Sequence, residues 1–161
     1  MASIPQPSSP AAVVDACWVI GLCAKEQNKY EAARKRLEEY AREGWQLFAP
    51  GVLVGEVLFV LCRKLHEGSI DSANHAAAVA AFAALMQRIQ PPPDGEWSLI
   101  NRANSIRQNY GCSRMNDAIY LALVEQLGSL RPAELITFDA NLENHAKANG
   151  LEAFLNVLPV K

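Results

Sequence analysis

The feature that most constrains this chain is an apolar run, Ala11 to Val14, that ends directly on Asp15. Small and β-branched residues that follow a Pro- and Ser-containing segment predict a buried strand of a parallel sheet. Ligands of open α/β sheets bind at the carboxyl ends of the strands, which is where Asp15 falls. The run therefore predicts an α/β domain with a polar group at its ligand-binding edge.

The rest of the chain alternates between short apolar runs and helical patterns, several of which end at a glycine. Strands are predicted at 11–15, 45–49, 89–90, 135–138 and 153–157. Helices are predicted at 16–24, 29–43, 52–66, 73–89, 96–110, 114–127 and 141–149. This alternation predicts a three-layer α/β/α fold around a central, mostly parallel sheet of four to five strands.

Length and charge narrow the function classes. The 161 residues suit one domain, which we place at 11–161 after a disordered leader at 1–10. A net charge of −2 provides no overall positive field, so a nucleic-acid partner would have to meet a local basic patch. The leader carries no Lys or Arg and no stretch reaches about 18 uncharged apolar residues, so we expect neither a secretory signal nor a membrane span. These observations favour a cytoplasmic protein.

Cysteines, histidines and clustered cations carry weaker signals. The four cysteines show no C-x-x-C spacing, and three lie in apolar or small-residue runs, which predicts buried, reduced thiols. The histidines His66, His75 and His145 fall on separate predicted helices, which gives little support to a histidine metal site. The basic run at 29–36 is diluted by acids, so a solvated helix face is the favoured interpretation.

Four acids occupy comparable positions. Asp15 and Asp139 each end a predicted strand, Asp117 lies in the first turn of a helix, and Glu56 lies on an apolar helix that follows the second strand. Because strand ends and the following helix starts share one edge of a parallel sheet, these carboxylates could converge there. Such a cluster needs protons or cations, and all-oxygen ligation suits Mg²⁺ or Mn²⁺. A site of this kind can activate water for phosphodiester hydrolysis.

Each acid alone also has a purely structural interpretation. Asp15 could cap the end of a strand, and Asp117 could compensate the dipole of its helix. Asp139 could serve turn and cap chemistry with its neighbours. Glu56 is the hardest to explain this way, because an ionised side chain on an apolar helix is rarely buried without a partner.

The segments that carry these acids resemble the PIN-domain family, and most of all the small ribonucleases typified by VapC toxins. The resemblance covers about residues 11–160 and implies a PIN-like fold. It implies that Asp15, Glu56, Asp117 and Asp139 bind Mg²⁺ or Mn²⁺ and activate water for endonucleolytic cleavage of RNA. The matching segments are Val13–Ala16, Phe48–Pro50 followed by Glu56, Asn116–Ala122 and Ile136–Leu142.

The resemblance also assigns supporting roles. Thr137 matches a hydroxyl residue that the family often places two positions before its last acid, and Asn116 lies beside Asp117 in the matching segment. Asn141 departs from the family, since many relatives carry an Asp there, which removes one negative charge from the site. Arg114, three residues before Asp117, is a candidate contact for an RNA phosphate.

Partners follow from the resemblance as well. It implies a homodimer and, if the chain is the toxin of a toxin–antitoxin pair, an antitoxin segment between helices 52–66 and 70–89. Two alternatives stay open: a catalytically weak PIN-like module that binds RNA or protein, and an unrelated phosphoacceptor receiver. The receiver is ranked below, because Asp15 has no acidic neighbour.

Overall fold

The central strand of the sheet is the apolar run that opens the domain. The structure is a computed structural model and describes residues 9–112 and 116–160. Ala11, Ala12, Val13 and Val14 are completely buried, as expected of a strand that is covered on both faces. It pairs with a strand on each side, and every strand pair in the described part of the chain is parallel.

The predicted sheet is confirmed. Its five strands are β1 (Ala11–Val14), β2 (Gln46–Phe48), β3 (Ile89–Gln90), β4 (Ala133–Thr137) and β5 (Leu155–Val157). Their order across the sheet is β3-β2-β1-β4-β5. Within β1 and β4, Val13 aligns with Leu135 and Val14 with Ile136, so the two strands end side by side. Their carboxyl ends therefore place the residues that follow at one edge of the sheet.

Helices flank this sheet on both faces, which gives the predicted three-layer α/β/α architecture. Helix α1 packs against α2, α3 and α4, and α6 packs against α5, α7, β1 and β4. In the described residues the helices are α1 (Ala16–Cys23), α2 (Tyr30–Glu43), α3 (Val52–His66), α4 (Ser72–Met86), α5 (Ile100–Asn109), α6 (Asp117–Gly128) and α7 (Leu142–Lys147).

Several element boundaries differ from the prediction by one to three residues, and at two of the elements the difference is a 3₁₀ turn. The helix predicted at 96–110 begins as a 3₁₀ turn, Glu96–Leu99, before α5. The last strand is likewise preceded by a 3₁₀ turn, Glu152–Phe154, so it begins later than predicted. Pattern reasoning places an element well and its ends poorly, because terminal turns depend on local packing. Most of the predicted leader, and the predicted start of α6 at 114, lie outside the described residues.

The cysteine prediction was wrong in part. All four cysteines are free, but only Cys23 is fully buried and Cys17 is half-buried. Cys62 lies on the exposed face of α3 and Cys112 is also exposed. The apolar sequence around Cys62 did not lead to its burial, because α3 has an exposed face that also carries apolar side chains such as Phe59. Within the described residues, none of the helices is both long and apolar enough to cross a membrane.

Candidate active site

Asp15 lies at the junction between β1 and α1, where it caps the helix. Its Oδ1 accepts a hydrogen bond from the backbone N–H of Trp18 at 2.9 Å, and its Oδ2 accepts one from the hydroxyl of Thr137 at 2.5 Å. The thiol of Cys17 lies 3.2 Å from both carboxylate oxygens. Only 9% of the residue is exposed. Asp15 is therefore the N-cap of α1 rather than the predicted cap of a strand end, and this cap accounts for only one of these donors.

Burial gives Asp15 an unusual proton affinity. Loss of solvent raises the pKa of its carboxyl group from 3.8 to about 6, although hydrogen bonds from Thr137, Trp18 and Cys17 lower it. Repulsion from the charge of Asp117 raises it further. The carboxyl group of Asp15 therefore resists ionisation mainly because it is buried, and a carboxyl group with such a perturbed pKa is typical of functional sites.

Thr137 connects the two acids that end β1 and β4. This completely buried residue donates its hydroxyl proton to Asp15 and accepts a hydrogen bond from the backbone N–H of Asp139 at 2.9 Å. Asp139 in turn accepts the backbone N–H of Asn141 at 2.9 Å. Asn141 is exposed at the start of α7, and its side chain makes no capping hydrogen bond. One hydroxyl therefore fixes Asp15 relative to the backbone of Asp139.

Glu56 extends from α3 toward the start of α6. Its two oxygens accept hydrogen bonds from the side-chain amide of Asn116 at 2.7 Å and from the hydroxyl of Tyr120 at 2.6 Å. Asn116 and Tyr120 are four residues apart, so they lie on the same face of the helix start. Burial and the nearby charge of Glu56 raise the pKa of Tyr120, which keeps its hydroxyl protonated as a donor.

Asp117 is the first residue of α6 and faces α7. Its Oδ2 lies 2.6 Å from Nδ1 of His145, whose ring stacks on Tyr110 with the ring centroids 3.8 Å apart. Burial raises the pKa of Asp117, and the bond to His145 lowers it. Repulsion from Asp139 and Glu56 raises it again. Asp117 therefore interacts electrostatically with each of the other three predicted acids.

The donor set fits a divalent metal ion in chemistry and in charge. Carboxylate oxygens are the ligands that Mg²⁺ and Mn²⁺ prefer, and a dication would relieve the repulsion that raises the pKa values of Asp15 and Asp117. Among the residues that the structure describes, however, no three His, Cys, Asp or Glu side chains stand close enough to form a ready-made ligand set. The carboxylates are coupled by charge and held by separate donors.

Sequence reasoning missed three residues that contact these acids: Cys17, Tyr120 and His145. A helical-spacing signal was available for Tyr120, which is four residues after Asn116. No comparable signal existed for His145, which is 28 residues from Asp117 and was set aside because the histidines fall on separate helices. The predicted phosphate contact Arg114 lies outside the described residues.

The model of the PIN domain family matches residues 12–148, which include the four acids and all the donors described above. No curated protein matches this chain.

Proposed function

The chain belongs to the PIN-domain family, and from this premise we propose that it is a Mg²⁺- or Mn²⁺-dependent endoribonuclease. PIN domains are typically nucleases and generally use divalent metal ions, so a nuclease-type activity follows from the family. RNA as the substrate, the identity of the ion and the toxin role are our proposals. The observation that carries them is geometric: β1 and β4 end side by side, so that Asp15 and Asp139 share the hydroxyl of Thr137, and the start of α6 carries Asp117 next to Asn116, which contacts Glu56.

In this proposal the four carboxylates hold the metal, which when bound supplies an activated water and neutralises charge on the scissile phosphate. The protein's own contribution is to orient the ligands before the ion arrives. Thr137 orients Asp15, while Asn116 and Tyr120 orient Glu56. Outer donors of this kind fix the direction of metal ligands and tune their basicity.

The proposed test compares cleavage of single-stranded RNA by wild-type protein, Asp15→Asn and Asp117→Asn in the presence of Mn²⁺. We expect each substitution to reduce the rate by more than about 100-fold, because even outer-shell partners of metal ligands contribute roughly 10–100-fold. EDTA should abolish cleavage by the wild type. Asp71→Asn is the matched control, since Asp71 caps α4 at an exposed position and an asparagine keeps that cap.

Cleavage that persists in EDTA and in both variants would contradict the proposal. Wild-type protein that binds RNA but cuts nothing with Mn²⁺ would favour the second candidate, a catalytically weak PIN-like binding module. Two observations favour this second candidate: the absence of a ready-made ligand set among the described residues, and the uncharged Asn141.

We also propose a homodimer and, for a toxin, an antitoxin segment that binds between α3 and α4. The support is an exposed apolar face on α3, where Phe59 is 65% exposed, Leu58 43% and Val54 39%. Large apolar side chains that lie together on a surface mark interaction sites more often than isolated ones do.

A further inference from the structure

His145 contacts the proposed site from a helix that carries none of the four acids. Its Nδ1 lies 2.6 Å from Oδ2 of Asp117, and the two side chains are only 19% and 15% exposed. With Asp117 ionised, its carboxylate can only accept hydrogen bonds, so this contact requires the tautomer that carries a proton on Nδ1 of His145. The carboxylate of Asp117 thus has a fixed donor that comes from α7.

The imidazole ring is held on one further side by an aromatic ring, and the backbone of His145 is held by a hydrogen bond. The ring of Tyr110 stacks on it at 3.8 Å with an interplanar angle of 10°. The side-chain amide of Asn149 donates to the carbonyl of His145 at 2.9 Å, and Asn109 donates to Asn149 at 2.7 Å. The stacking on Tyr110 and the contact with Asp117 therefore limit the rotation of the imidazole, while Asn149 holds the backbone of the same residue.

We propose that His145 is a positioning residue for the metal site, whose Nδ1–H holds the carboxylate of Asp117 in place relative to the other three acids. This inference rests on the proposed function, since it assigns a role toward the same ion. A ligand that is already oriented loses less conformational freedom when it binds, and hydrogen bonds to ligating carboxylates are worth roughly 10–100-fold in metal affinity.

Two substitutions separate the hydrogen bond from the packing. His145→Phe keeps a ring that can stack on Tyr110 but removes the N–H donor. His145→Asn keeps an N–H donor in the same position relative to the backbone and removes the ring. We expect the phenylalanine variant to bind Mn²⁺ about 10–100-fold more weakly than wild type, and the asparagine variant to stay within about tenfold. His66→Phe, at the exposed end of α3, is the control for the same chemical change.

Binding is measured by isothermal titration calorimetry of Mn²⁺ into the metal-free full chain without RNA, with thermal unfolding in EDTA as a check on folding. A purely structural role would lower the unfolding temperature of both variants and leave Mn²⁺ affinity unchanged, which would overturn the inference. If His145→Phe does not fold, His145→Leu removes the same donor, and the same loss of affinity is expected.

A measurement on unaltered protein keeps the inference testable without any variant. In metal-free wild type, ¹⁵N NMR should show His145 protonated at Nδ1, and a neutral ring protonated only at Nε2 would overturn the contact. Wild-type protein that neither binds Mn²⁺ nor cleaves RNA would overturn the proposed function and this inference with it. Wild type that binds Mn²⁺ no more tightly than His145→Phe would overturn the role of His145 alone.

Discussion

Strand β4 has a carboxylate cluster near each end, and the two clusters are built on opposite principles. Near its start, Glu134 accepts hydrogen bonds from Arg36 at 2.7 Å, from Asn156 at 2.9 Å and from Tyr40. At its other end, Thr137 donates to Asp15, which is buried and is repelled by the charge of Asp117. The first carboxylate is paired with a cation, whereas the second is surrounded by neutral donors and like charges.

The pKa values of Arg36 and Asp15 shift in ways that reflect this difference between the two clusters. Burial alone would lower the pKa of Arg36, but its hydrogen bonds to Glu134 and Glu39 raise it, so the pair is favourable. Burial raises the pKa of Asp15 instead, so its ionisation is unfavourable in the folded protein. The Glu134 cluster therefore stabilises the fold, and the Asp15 cluster costs stability that a bound cation would restore. Unfavourable ionisation of this kind is typical of a functional site.

The largest change in the free energy of unfolding is expected for Asp15→Asn in metal-free protein, and it tests the contrast between the two clusters. A carboxyl group whose pKa is raised from 3.8 to about 6 on folding stabilises the folded state below pH 3.8, and this contribution is lost as the pH rises through 6. The loss is about 3 kcal/mol, at roughly 1.4 kcal/mol for each tenfold change in proton affinity. The variant should therefore match wild type near pH 3.5 and be about 3 kcal/mol more stable at pH 8.

Urea unfolding in EDTA at both pH values measures this difference. The amide oxygen of an asparagine can keep the cap to Trp18, and its amide nitrogen then faces Thr137 as a donor, as the O–H of the protonated acid does. The protonated wild type at pH 3.5 is therefore the reference that this variant resembles. Asp71→Asn is the matched control and should show no such pH-dependent gain. A variant that is less stable than wild type at pH 8 would mean that the carboxylate of Asp15 is favourable, and the contrast between the two clusters would be lost.

Replacing the carboxylate by an amide near the start of β4 should instead lower the free energy of unfolding. Glu134→Gln keeps an oxygen that can accept from Tyr40 and Asn156 but removes the charge that Arg36 faces. We expect the free energy of unfolding to fall by about 2 kcal/mol, because hydrogen bonds to charged groups are stronger than neutral ones. Urea unfolding at pH 8 measures it, and RNA cleavage should match wild type. A gain in stability would show that desolvation of the pair outweighs its attraction.

Much of this molecule could be predicted from local patterns. The run that ends on Asp15 identified β1, and the alternation of strands with helices gave the parallel sheet. Glu56 was singled out because a charge on an apolar helix needs a partner, and the structure provides Asn116 and Tyr120. These signals depend on neighbours in sequence or on one helix, so the order of residues along the chain records them.

The rest depends on packing between distant elements. Arg36 was assigned to a solvated helix face with the other cations of its run, which is correct for Arg34 and wrong for Arg36, whose partner Glu134 lies on β4. The bond between His145 and Asp117 likewise requires that α7 pack against α6. No periodicity within either segment encodes these contacts, because each side of the pair is an ordinary polar residue of an amphipathic helix or a strand.

The smallest change in stability is expected from substitutions of Cys17, a neutral side chain of the Asp15 cluster that both donates and accepts hydrogen bonds. Its sulfur accepts the backbone N–H of Phe138 at 3.2 Å and lies 3.2 Å from Asp15 and from Thr137. Burial and the charge of Asp15 raise its pKa, so it acts as a neutral thiol. Cys17→Ser offers the same donor and acceptor, and we expect the free energy of unfolding to change by less than about 1 kcal/mol.

Cys17→Val removes both functions and leaves the N–H of Phe138 without its partner, which should cost about 1–3 kcal/mol. The exposed Cys62 provides the control, since Cys62→Ser should leave the urea unfolding curve unchanged. If the serine and valine variants lose stability equally, the volume of the sulfur matters more than its hydrogen bonds. The acids at this edge would then be held mainly by Thr137 and the backbone, because the thiol would contribute packing and no orientation.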